Sequence, residues 1–203
     1  MLLTHKKKHT YTNQLISILY QRGIYAPETF SRTKKYGLAM LVTKDESLKQ
    51  YLADVLSQLH TWLINGKVRK LVLVILGLES KKTRERWQFD IQQDKSVKSN
   101  GSGGEEKVKA KKLIMGEIQA LIRQITASVT FLPILDEPCT FDLLFYASED
   151  ATDEDVPMSF EETDEKLIKN QVEVPMRSFS TKVHKVDACV AYDNDMDEDE
   201  DEI

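Results

Sequence analysis

The run VRKLVLVILGLE, Val68 to Glu79, is β-branched and apolar on both faces at its centre. A strand with that pattern belongs inside a sheet, with cover on both sides. After the polar turn SKKTR, Glu85 to Gln92 alternates with Trp87, Phe89 and Ile91 on one face, which predicts a half-exposed partner strand. These two segments commit the chain to a sheet-centred fold.

The remaining segments supply helices and further strands. Leu15, Ile16, Leu19 and Tyr20 recur at helical spacing between Tyr11 and the stop at Gly23. YGLAMLV, Tyr36 to Val42, predicts a strand after the turn-prone PETFSR. Thr43 and Glu46 form a capping-box pattern, followed by Leu48, Leu52, Val55, Leu59 and Trp62 in steps of four and three up to Asn65-Gly66. DKSVKSNGSGGEE reads as a flexible connection. A third helix is predicted from about Glu105 to Ala127, with Leu113, Ile114, Ile118, Leu121, Ile122 and Ile125 inward and Pro133 blocking its continuation. CTFDLLFY, Cys139 to Tyr146, returns as strand, whereas Ser148 to Glu165 is too acidic and too poor in apolar residues to pack. The expectation is an α+β fold, a mainly antiparallel sheet packed by three helices.

The last patterned segment changes phase. Phe179, Thr181 and Val183 share one parity, but Val186, Ala188, Val190 and Tyr192 share the other. One regular strand cannot carry both, so a bulge or turn is expected near His184 to Asp187, with two strands meeting there. Two short strands after an acidic stretch form an element able to leave a sheet edge and return, covering or exposing it for an added peptide strand.

Charge and chemistry narrow the function classes. The net charge of -5 hides eight carboxylates in residues 193–203 and nine in 148–165, neither segment containing Lys or Arg, so the rest of the 203-residue chain is basic by twelve. Those basic residues are dispersed except at Lys6–Lys8 and Lys107–Lys112, without interleaved aromatics, which argues against direct nucleic-acid binding. Cys139 and Cys189 lack a CxxC spacing and read as packed thiols in a reducing compartment. The longest apolar run, Leu71 to Leu76, is too short for a membrane span.

His5, His9, His60 and His184 are scattered and read as solvated, and GSGG at 101–104 lacks the flanks of a phosphate loop. Asp136, Glu137 and Asp142 read as solvated surface rather than an acid pair. No constellation for catalysis or metal binding emerges, and Trp62 and Trp87 follow their elements' apolar registers as core anchors.

Six blocks carry a resemblance that spans about residues 13–192: SILYQRGIYAPETFSRTKKYGL, RKLVLVI, ERWQFDI, LIRQITASVTFLP, CTFDLLFY and RSFSTKVHKVDACVAY. Together they resemble the HORMA-domain family, in its spindle assembly checkpoint branch. The resemblance implies a HORMA domain over 1–192, a mobile C-terminal safety belt over about 148–192, and an acidic disordered tail over 193–203. It also implies a non-enzymatic switch with no cofactor or metal, in which the belt of a closed form wraps a peptide added to the sheet.

The implied ligands are the activator subunit of the anaphase-promoting complex and a coiled-coil kinetochore checkpoint scaffold, with a delay of anaphase as the result. Further implied partners are the checkpoint kinase of the mitotic checkpoint complex, a HORMA-like antagonist, an AAA+ remodelling ATPase, and a homodimer of open and closed forms. The implied setting is nucleus, kinetochore and cytoplasm, with no membrane and no direct nucleic acid. MLLTHKKKHT lacks the apolar turn-and-a-half that opens the family's first helix, which leaves engagement by the ATPase open.

Residue by residue, the resemblance assigns the dimer and antagonist surface to Arg123, Gln124, Thr130 and Phe131. It assigns peptide binding and the belt to Trp62, Phe179, Val183, His184, Val190 and Tyr192. The alternative reading is a HORMA adaptor subunit of a translesion DNA polymerase or chromosome-axis complex; LIRQITASVTFLP and ERWQFDI favour the checkpoint branch.

Overall fold

A computed structural model describes residues 4–35, 38–93, 111–152, 160–180 and 184–194. Three helices, α1 (Thr4–Gln21), α2 (Glu46–Asn65) and α3 (Lys111–Ala127), pack with a six-stranded sheet and a separate two-stranded ribbon. The ribbon is β1 (Phe30–Lys35) paired antiparallel with β2 (Leu38–Thr43). The sheet is built from β3 (Val68–Gly77), β4 (Thr83–Gln93), β5 (Cys139–Ala147), β6 (Gln171–Pro175) and β8 (His184–Asp193), in the order β5-β3-β4-β8-β6; the short β7 (Phe179–Ser180) also pairs with β8. Every pairing is antiparallel.

As its two-faced apolar pattern requires, β3 is central, flanked by β4 and β5, with Leu71 to Ile75 all at 0% exposure. Leu71, Leu73 and Ile75 join the helix-side core with Leu15, Leu19, Leu52, Leu59, Trp87, Phe89, Leu121 and Ile125. Val72, Val74 and Leu144 form a small cluster of their own with Leu76 and Tyr146 packed against it.

Several elements differ from expectation for identifiable reasons. The first helix starts at Thr4 rather than Tyr11, so helical backbone runs back through the Lys-rich segment. Phe30 to Lys35, half of it read as turn, is β1, because Phe30 is buried and every residue of the strand has a partner in β2. β2 is described from Leu38, and the expected start at Tyr36 lies outside the described residues. Asp45, not Thr43, caps α2 by accepting from the Leu48 amide at 2.7 Å, while Thr43 Oγ1 accepts from the Asp45 amide at 3.1 Å and shapes the turn before it.

The far face of β4 is shielded rather than half-exposed: the Arg86 guanidinium donates to the Tyr146 hydroxyl at 2.8 Å, and Lys70 donates to Gln88 at 3.2 Å. Arg86 is 3% exposed and Gln88 8%. Long side chains thus cover Val72 and Val74 in place of a further layer. Leu113 is 59% exposed, outside the apolar stripe of α3, and the part of the predicted helix before Lys111 lies outside the described residues.

The C-terminal region departs most. QVEVP, not foreseen as a strand, is β6, and His184 to Asp187 continue regularly within β8 opposite Gln93 to Asp90. The phase break therefore precedes His184, which is buried at 7% rather than solvated. Asp193, expected in the tail, ends β8 opposite Gln171.

Candidate functional site

In the six-stranded sheet β5 is an edge, paired only with β3 among the described residues. Its opposite rim presents backbone donors and acceptors to a groove, the ready-made template for an added strand. The floor comes from α2, whose C-terminus is set by Gly66 in the left-handed region at φ 71. There the Lys67 amide donates to the Trp62 carbonyl at 2.9 Å, and the Ser148 amide to the Lys67 carbonyl at 3.0 Å, holding the exit of β5 against the helix end.

The far wall is the segment beginning at Phe160. Trp62, Phe145 and Phe160 form a three-ring cluster, with centroids 5.7 Å apart for Trp62–Phe145, 5.1 Å for Trp62–Phe160 and 5.4 Å for Phe145–Phe160. Contacts of this kind contribute roughly 0.5–1.5 kcal/mol each beyond area burial. The acidic stretch was expected not to pack; its single phenylalanine overrides that composition by docking on the helix and edge strand. Lys166 adopts φ 52 just beyond, and the chain continues to β6 on the opposite sheet edge.

Between β5 and this strap lie two adjoining clefts of about 420 and 700 Å³ that share Leu143, Leu144, Phe145 and Phe160 to Thr163. Trp62 and Lys67 line the first, and Tyr51, Asp54 and Gln58 of α2 the second. Carboxylates dominate the rim: Asp54, Asp142, Glu161, Glu162, Asp164 and Glu165, against Lys67. Burial, with the Asp142 carboxylate adding to it, pushes the Tyr51 hydroxyl up to about 12, so it is a neutral hydrogen-bonding group at ordinary pH. The groove suits an extended, cationic, partly apolar chain.

Of the five described belt and peptide residues expected from sequence, Trp62 alone lines this groove. Phe179, Val190 and His184 are buried in β7 and β8, and Tyr192 is partly buried opposite Glu85. Those strands are separated from β5 by β3 and β4, so these side chains can act on the groove only through the fold. Val183 lies outside the described residues. Phe160, Tyr51 and Phe145 were missed, although the lone aromatic of an acidic run was the signal available.

A second surface lies at the end of α3. Arg123 and Thr130 are exposed, Phe131 is 41% exposed, and Val129 and Ile134 add 41% and 87% exposed apolar side chains beside them. Gln124 is half-buried, and its Oε1 accepts from the Arg177 amide at 2.7 Å.

Elsewhere, Glu137 is not solvated surface. Its carboxylate accepts from the Glu79 and Ser80 amides at 2.9 and 3.0 Å, the Ser80 hydroxyl at 2.5 Å and Arg84 at 2.8 Å, bonds that hold its carboxyl down at about 2. A side chain at Gly77 would collide with that carboxylate. The two cysteines are free and partly buried, and burial raises both thiols, Cys189 to about 11. Among the described residues no His, Cys, Asp and Glu cluster fits a metal ion, and no helix is long and apolar enough to cross a membrane.

The family model of the HORMA domain matches residues 9–184. The chain belongs to the HORMA-domain family. It is 52% identical to mitotic spindle assembly checkpoint protein MAD2A of Dictyostelium discoideum over 182 residues, 90% of this chain and 86% of that protein. Its identity to the Homo sapiens protein of the same name is 51% over 176 residues, 87% of this chain and 83% of the other. This HORMA fold also superposes on a chain of the crystal structure of the mitotic checkpoint complex with a TM-score of 0.79 and 41% identity, covering 93% of this chain and 97% of that one.

Proposed function

We propose that this chain is a spindle assembly checkpoint component that acts by capturing a peptide, not by catalysis. One observation carries the reading: among the described residues the outer edge of β5 has no strand partner, faces an apolar and acidic groove, and is spanned by a strap anchored through Phe160. A peptide laid beside β5 gains backbone hydrogen bonds, and the strap slows its release because it must lift first. The seating of β8 against β4 and the strap across the β5 groove support reading this state as the closed one of an open/closed switch. The safety belt runs from about 148 to 192, within a HORMA domain over 1–192.

The identities to checkpoint proteins support the choice of ligand: a peptide of the anaphase-promoting complex activator or of the coiled-coil kinetochore scaffold. The match to the mitotic checkpoint complex supports assembly with that complex's checkpoint kinase. Arg123, Gln124, Thr130 and Phe131 with their exposed apolar neighbours suit the open–closed homodimer and a HORMA-like antagonist, with remodelling by an AAA+ ATPase returning the open form. Work of this kind is done in the nucleus, at kinetochores and in the cytoplasm.

The test is a pull-down with immobilised activator and translesion-polymerase peptides. Capture by the activator peptide, lost when residues from Arg177 onward are deleted, is expected. Capture by the polymerase peptide alone would overturn the checkpoint reading in favour of the adaptor alternative.

A further inference from the structure

β6 and β7 lie along the same edge of β8, and the register between them slips by one residue, from Pro175↔Cys189 to Phe179↔Val186. The slip falls at residues 176–178, and on either side of it one backbone amide of this edge, Arg177 and Ser180, is bonded to α3 rather than to β8. The Met176 amide still donates to the Ala188 carbonyl at 2.8 Å. The next one, Arg177, donates instead to Gln124 Oε1 at 2.7 Å, and the Ser180 amide donates to Glu117 Oε2 at 2.9 Å.

Glu117 and Gln124 are seven residues apart on α3, which puts them on one face two turns apart. Between the two anchored amides along the chain, the Phe179 ring is 1% exposed and meets Tyr11 of α1 edge-on at 6.3 Å. Without Glu117 the half-buried Ser180 amide would lose its acceptor, whereas the Arg177 amide lies at an exposed position where Gln124 takes the place of water. Arg123, the residue before Gln124, is exposed, and Ile125, the residue after it, is buried in the core.

We propose that Glu117 and Gln124 are positioning residues that latch the C-terminal edge to α3, so that the partner-facing surface and the strap over the β5 groove report the same state. The proposal rests on the peptide-capture reading for the strap's role. It reassigns Gln124: this side chain holds the belt by its backbone, and the direct partner contact falls to Arg123. A partner docked on α3 then senses whether the edge is seated, and an unseated edge loosens the chain that leads back through β6 to the strap.

The experiment compares Glu117→Ala, Glu117→Gln and Gln124→Met in the full chain, by amide hydrogen exchange and by peptide kinetics with the activator peptide. Glu117→Ala is expected to speed Ser180 amide exchange about tenfold or more while amides of Leu71 to Ile75 keep their protection. Peptide release accelerates by a similar factor with little change in association. Glu117→Gln, which keeps an acceptor oxygen, restores both; a residue that merely filled space would not distinguish Gln from Ala this way. Gln124→Met is expected to speed exchange of the Arg177 amide selectively by removing its acceptor, and it carries the test if Glu117→Ala fails to fold.

Unchanged Ser180 and Arg177 exchange would overturn the latch, and faster exchange with unchanged peptide release would overturn the coupling. If the unmodified chain binds no peptide, the capture reading fails and the coupling with it, while the exchange data still decide the latch.

Discussion

Arg22 and Glu85 meet at 2.5 Å with side chains 7% and 1% exposed. Arg22 sits just past the end of α1 and donates also to the Pro133 carbonyl at 2.5 Å, while Glu85 accepts from the Trp87 indole at 2.9 Å. Burial raises the Glu85 carboxyl above its ordinary value, and the Arg22 guanidinium and the Trp87 indole pull it back. One ion pair thus joins the first helix, the loop after α3 and the strand that faces Tyr192 of β8.

Glu85→Gln leaves the Arg22 charge buried without its counterion. Breaking a buried pair from one side costs about 3–5 kcal/mol, whereas replacing both partners by apolar residues of similar volume is close to neutral. Urea unfolding should therefore show a large fall in midpoint for Glu85→Gln and a much smaller one for Arg22→Met combined with Glu85→Leu. Equal losses would mean that the pair acts through packing alone.

The Glu137 carboxylate gives the fold an acid-sensitive joint. Its folded value of about 2 lies below an unfolded value of ~4.3, so its contribution is fully present above the unfolded value and disappears as pH falls toward the folded one. Stability measured by thermal unfolding between pH 5 and pH 2 should fall more steeply for the unmodified chain than for Glu137→Gln, which starts lower and lacks this step. Parallel curves would remove Glu137 from the acid response.

Phe160→Ala removes the strap's ring from Trp62 and Phe145. Since the ring lies over the groove and only partly in the core, peptide dissociation should quicken by roughly tenfold or more while global stability changes little beyond about 1–2 kcal/mol. Surface-plasmon kinetics with the activator peptide would show it; an unchanged off-rate would mean the strap is anchored elsewhere.

Arg123→Glu reverses an exposed charge beside Val129, Phe131 and Ile134. Homodimer mass in light scattering should be lost, with peptide affinity kept within about twofold. A dimer that persists would move the interface off α3.

Much of the fold was legible because period and burial agree. VRKLVLVILGLE became the central strand, and LKQYLADVLSQLHTW became α2 with Leu48, Leu52, Leu59 and Trp62 buried, because their apolar spacing allows one packing solution. What escaped depended on pairing rather than pattern. FSRTKK and QVEVP are too polar to announce a strand alone and gain that state from β2 and β8. The break in the last segment was visible, but its position was not, because the side-chain alternation of β8 stays regular from His184 on. The groove was least legible: it exists only where β5, α2 and Phe160 converge, and Phe160 sits in a run whose charge argues for solvation. The resemblance supplied Trp62 at this site, and geometry supplied the rest.

The central claim is that the ligand becomes a strand on β5. Hydrogen exchange of the amides from Cys139 to Ala147, with and without saturating activator peptide, tests it most directly. The account predicts that groove-facing amides of β5 gain protection on binding while those of β6, at the opposite edge, do not. Protection confined to β6, or peptide binding that leaves every β5 amide unchanged, would contradict it.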